Sequence, residues 1–198
     1  MEILDPIFLI KTVGLLGIFA IVFAESGLFF GFFLPGDSLL FTAGILASQN
    51  YLHIVWLVVG SFIFAVLGDN VGYWFGKKVG PKIFTKEESV FFHRKHIQRA
   101  EGFYERYGNK TIFLARFVPI VRTFAPIVAG VGGMKYKNFL TYNIVGGFFW
   151  SFGLILAGYF LGGAIPSIDK YLLPIILIIV LISFFPLIYE FKKHRRLF

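Results

Sequence analysis

The stretch "FLARFVPIVRTFAPIVAG", Phe113 to Gly130, is the most constraining part of the chain. It is long and apolar enough for a bilayer, yet it carries Arg116 and Arg122 together with Pro119 and Pro126. Basic residues crowd both of its flanks. Residues 77–110 hold nine Lys and Arg, and the turn after it holds Lys135 and Lys137. Short loops rich in Lys and Arg stay on the cytoplasmic side of a membrane. A segment with cytoplasmic flanks at both ends cannot cross once. It enters and returns, and the prolines are turn formers whose freed backbone groups need cover from protein or water.

The rest of the composition agrees with a membrane setting. The chain has 198 residues, 57% apolar and 15% charged, with a mean hydropathy of +0.77. Soluble domains average about 45–50% apolar and about 25% charged. There is no cysteine, so disulfides and thiolate metal sites are excluded. The N-terminus "MEILDPIFLIK" is acidic where a cleavable leader would be basic, so the first apolar segment is expected to remain. The net charge of +8 follows from topology and does not call for nucleic acid.

Apolar segments fall at about 12–34, 38–47, 52–76, 111–131, 139–161 and 171–190. A spanning helix needs about 20 residues, which 52–76, 139–161 and 171–190 supply. Segment 12–47 is interrupted by "FLPGDS", so Pro35 and Gly36 mark a break there as Pro119 and Pro126 do in the later segment. A shift of 86 residues aligns 42–76 with 128–162 without gaps, with eight identities that include Gly44/Gly130, Gly72/Gly158 and Tyr73/Tyr159. The charge pattern puts the two copies in opposite orientation, a transporter architecture.

The expected fold is therefore an all-α, multi-pass membrane protein in one domain, residues 1–198. Residues 12–76 and 111–162 form inverted repeats of a re-entrant hairpin plus a transmembrane helix. Residues 77–110 form a cytoplasmic linker with an interfacial amphipathic helix, because its aromatic residues would otherwise face water. A helix over 171–190 and a basic cytoplasmic tail over 191–198 complete it.

Five ionisable side chains lie in apolar surroundings: Glu25, Asp37, Asp69, Arg116 and Arg122. Each costs about 2.5–3.5 kcal/mol at a bilayer centre, so they must pair, line water or bind a ligand. Two readings compete. Glu25 with Arg116 or Arg122 is a structural ion pair, or the arginines bind an anionic group while Glu25 and Asp37 pair with them and titrate. Arg in place of Lys suits the forked recognition of phosphate or carboxylate. Helix breaks beside the arginines offer free amides to an anion. Asp69 is two turns from Lys77, which favours structural capping or loop pairing near the cytoplasmic interface and leaves function as the lesser reading. The Gly72/Gly76 and Gly158/Gly162 pairs suit close helix packing. No histidine spacing for a metal is present, no cofactor motif is found, and no histidine beside the arginines could serve a lipid phosphatase. An enzyme is not expected.

Glu25, "PGD" at Pro35–Asp37, "GDNVGYWFG", and "FLARFVPIVRTFAPIVAGVGGM" followed by Asn143, Gly146 and Trp150 resemble the DedA family, also called SNARE-associated or VTT-domain membrane proteins. The likeness covers about residues 12–165. It implies lipid translocation: bacterial members recycle undecaprenyl phosphate across the plasma membrane, with proton-motive force implicated, and eukaryotic relatives scramble phospholipids. It also implies that Glu25, Asp37, Arg116 and Arg122 are essential; Asp69 and Asn143 are secondary candidates from the residues themselves. The partners implied are an anionic phosphate lipid and protons as the candidate coupling ion. A homo-oligomer is left open. The alternatives are a passive scramblase and a non-transporting protein that organises the bilayer.

Overall fold

A computed structural model describes residues 6–28, 34–83, 108 and 110–164, and the elements among them are helices. They are α1 (Pro6–Gly27), α2 (Gly36–Ser48), α3 (Ile54–Ile83), α4 (Lys110–Ala115), α5 (Pro119–Val131) and α6 (Tyr136–Ala164). The expected linker beyond Ile83, the apolar segment 171–190 and the basic tail lie outside the described residues.

Length separates α3 and α6 from α2 and α5. At 1.5 Å per residue, α3 and α6 run about 45 Å, enough for a hydrocarbon core of about 30 Å. Both carry apolar spans, Ile54–Val79 and Tyr136–Ala164, that are long enough to cross a membrane. By the same rise, α2 and α5, with 13 residues each, reach only about 20 Å.

Both short helices stop by the same device. After α2, Asn50 takes a left-handed backbone (φ 64°), while Asn50 N–H donates to the Ala47 carbonyl and Tyr51 N–H to Leu46. After α5, Gly133 does the same (φ 64°), with Gly133 N–H on Gly130 and Met134 N–H on Ala129. These are Schellman ends, which satisfy the last carbonyls and favour Gly or Asn at the left-handed position.

The break before α5 is written locally. Val118 precedes a proline, which disfavours helical backbone, and it is extended (φ −119°, ψ 106°). Pro119 then opens α5 at a position where its missing N–H costs nothing. The N–H groups of Arg116, Phe117 and Val118 bond to carbonyls three residues back, so the chain stays hydrogen-bonded up to the break. Pro126 is a correction: expected as a second break, it lies inside α5. A proline there removes one helical hydrogen bond. Tertiary packing holds the helix across it, with Pro126 against the α3 seam at Gly72.

Glycines set how closely the helices approach. α2 packs chiefly on α6, while α5 and α1 pack on α3. A Cβ at Gly44 would strike the Ile155 carbonyl, and one at Gly158 the Phe41 carbonyl. Across the other seam, a Cβ at Gly130 would strike the Tyr73 carbonyl, and one at Gly76 the Ile127 carbonyl. α1 and α3 touch where a Cβ at Gly27 would lie 2.7 Å from the Gly68 oxygen. The paired glycines are thus packing surfaces, as their spacing suggests. Ile18, Val22, Leu39, Leu57 and Ile155 fill the space between these contacts.

Candidate functional site

Five buried charged or amide side chains, with Asp37 beside them, meet between the packed helices. Arg116 follows the end of α4. Its Nη2 donates to Asp69 Oδ2 on α3 and to Asn143 Oδ1 on α6. Asn143 is fully buried and anchors itself by donating from Nδ2 to the Val66 carbonyl at 3.2 Å. Gly146 and Gly147 make room for the arginine: a Cβ at Gly146 would sit 3.1 Å from Arg116 Cδ.

Arg122 lies in the first turns of α5 and engages an acid with each of its two terminal nitrogens. Nη1 donates to Asp37 Oδ1 at 2.6 Å, and Nη2 donates to Glu25 Oε1. Glu25 comes from the end of α1, and its carboxylate packs against Gly36 where a side chain there would begin. A side chain at Gly36 would therefore displace the Glu25 carboxylate from its place beside Arg122. Asp37 Oδ1 also accepts from Trp150 Nε1 at 2.8 Å. The Trp150 ring faces both guanidiniums, 4.5 Å from Arg122 Cζ and 6.0 Å from Arg116 Cζ. Trp150 thus lies within cation–π reach of both arginine centres.

Glu25, Asp69, Arg116 and Arg122 are each about 95% buried. Arg116 Nε and Arg122 Nε are buried without a hydrogen-bond partner among the described residues. When all are ionised, three carboxylates face two guanidiniums, one negative charge more than neutral. A cavity of about 200 Å³ adjoins the cluster, with Asp37, Arg116 and Trp150 in its wall.

The arrangement refines the residue-level expectations. Glu25 and Asp37 share one arginine, Arg122. Asp69 is not an interfacial cap: it is buried in mid-helix on Arg116, because α4 brings the guanidinium to α3. Asn143 is the second partner of Arg116. Pro35 caps α2 with its carbonyl, which accepts from Leu39 N–H at 2.8 Å and Ser38 Oγ–H at 3.0 Å. Trp150 and Gly147 had no role assigned from sequence. Trp150 stands in the family motif, and an indole N–H in an apolar helix is the signal that could have found it.

The VTT domain matches residues 34–160. Protein DedA of Escherichia coli (strain K12) is 46% identical over 181 residues, covering 90% of this chain and 82% of that protein. An uncharacterized membrane protein of Mycobacterium tuberculosis (strain ATCC 25618 / H37Rv) is 44% identical over 193 residues, covering 93% of this chain and 84% of the relative. One from Mycobacterium leprae (strain TN) is 43% identical over 189 residues, covering 92% and 84%. No solved structure matches the chain. With its apolar spans, its VTT domain and relatives of this identity along most of their length, the chain belongs to the DedA family of VTT-domain membrane proteins.

Proposed function

We propose that this protein is a plasma-membrane lipid transporter that moves a lipid with an anionic phosphate head group, such as undecaprenyl phosphate, and is driven by protons. Arg116 and Arg122 hold the phosphate. Glu25 and Asp37 occupy Arg122 when the site is empty and give way to the incoming anion. The observation that carries this reading is the buried cluster itself: two guanidiniums held by displaceable carboxylates beside a cavity.

Charge balance supplies the coupling. Three carboxylates against two guanidiniums leave an excess negative charge in a low-dielectric setting, where unpaired charge is costly. One proton neutralises the empty cluster. An arriving phosphate adds negative charge to the same space, so it travels with further protons. The alternating packing of α2 on α6 and α5 on α3, with a matching Schellman end on each short helix, supports inverted repeats and two related conformations. In this reading both short-helix segments are re-entrant, and residues 77–110 and the C-terminus are cytoplasmic.

The test is flux of a labelled polyprenyl phosphate in proteoliposomes under an imposed pH gradient. Wild type is expected to follow the gradient. Glu25→Gln keeps the shape and drops the titration, so it should lose the response. Wild-type flux that ignores the gradient would make passive scrambling the better reading. An absence of flux with every phosphate lipid would leave a membrane-organising role.

A further inference from the structure

The geometry points to a lateral portal to the lipid phase at Gly153, through which a bound lipid keeps its tail in the hydrocarbon while its head group reaches Arg116. This rests on the phosphate-lipid reading above and adds the route. The floor of the cavity is polar, with Arg116 and Asp37, and Arg116 itself is 4% exposed. Its mouth is apolar. Phe117 and Phe149 line it and are 47% and 56% exposed. Along α6, Val145, Phe149, Gly153 and Ala157 recur every fourth residue and all are exposed, so the mouth opens on the apolar face of a helix long enough to cross a membrane.

Size then decides what enters. A volume of about 200 Å³ is little more than the roughly 150 Å³ of an engineered cavity that takes one benzene ring, enough for a phosphate group and too little for a long hydrocarbon tail. The tail must stay outside, and the mouth faces the phase that suits it. Gly153 keeps the passage clear: a Cβ built there meets nothing within 4 Å. A larger side chain at 153 would therefore enter open space without displacing backbone, at a position that lines the cavity together with Phe117, Phe149 and Leu154.

Two measurements test the portal. In the first, Gly153→Trp is compared with Gly163→Trp, which places the same side chain on the same helix, also in open space and away from the cavity. Labelled polyprenyl-phosphate flux should fall to the level of protein-free vesicles for Gly153→Trp and stay near wild type for Gly163→Trp, with both variants melting near wild type. Wild-type flux by a folded Gly153→Trp overturns the portal. The second measurement does not depend on transport. A nitroxide on Gly153→Cys, the single cysteine in the chain, is reconstituted in bilayers and its collisions are read by electron paramagnetic resonance. Collisions with oxygen should exceed those with a water-soluble nickel chelate. The reverse order places the mouth in water and overturns the portal even if wild type transports. Absence of wild-type flux with oxygen-dominated collisions would instead count against the transport reading and leave the lateral opening standing.

Discussion

Arg122 and Asp37 meet at 2.6 Å across 85 residues of sequence, joining the first turn of α2 to the beginning of α5. The same guanidinium also holds Glu25 through its other terminal nitrogen. One side chain thereby ties the end of α1, the start of α2 and the start of α5 into a single electrostatic unit.

Arg122→Lys keeps the charge and loses the fork. An ammonium is a compact point charge on a flexible stem and does not reproduce the planar, two-pronged grip on Asp37 and Glu25. We expect the variant to insert and fold, with thermal stability lowered, and to lose phosphate-lipid flux. Arg122→Ala should be worse for stability, by about 3–5 kcal/mol, since it strands two acids. Purified variants compared by thermal unfolding in detergent and by proteoliposome flux check both. Wild-type flux by a double Arg116→Lys, Arg122→Lys variant would reduce the cluster to a structural brace.

Trp150→Phe separates the two contacts of the indole. It keeps a ring beside the guanidiniums and removes the N–H that holds Asp37 at 2.8 Å. A hydrogen bond to a charged group is worth about 1.5–3 kcal/mol, which sets the expected loss of stability. Trp150→Ala also leaves a void and should cost about 3–5 kcal/mol. Denaturation midpoints of the two variants give the ordering, and an equal effect of both would mean that the N–H carries the whole contribution.

Gly130→Val tests the seam between α5 and α3. The added Cβ runs into the Tyr73 carbonyl and lies 2.7 Å from Lys77 N, so the helices must part. Overpacking of this kind costs about 1–3 kcal/mol. Because Arg122 rides on α5, we expect flux to fall along with melting temperature. Gly44→Val, which meets the Ile155 carbonyl on the α2–α6 seam, should behave alike.

The cysteine-free sequence permits a direct test of topology. Lys110 and Lys135 are exposed and flank the α4–α5 segment. If that segment is re-entrant, single cysteines at both positions should react with an impermeant maleimide only from the cytoplasmic face. Labelling of the two from opposite faces would mean that the segment crosses the membrane.

What the sequence decided alone is what short-range physics decides. Apolar length makes α3 and α6 long enough to cross a membrane, and the clash of a proline with its predecessor breaks the chain at Val118. The cost of lone charges in hydrocarbon required the acids and arginines to pair. Which acid meets which arginine was left to the fold. Asp69 sits two turns from Lys77 and reads locally as a cap, yet the packing of α4 carries Arg116 to it. Pro126 reads locally as a break, yet the contact with α3 at Gly72 holds the helix through it. Trp150 joins Asp37 from 113 residues away, and no local rule specifies that distance. Glycine contacts between helix backbones set those approaches, and such contacts exist only once distant segments have come together.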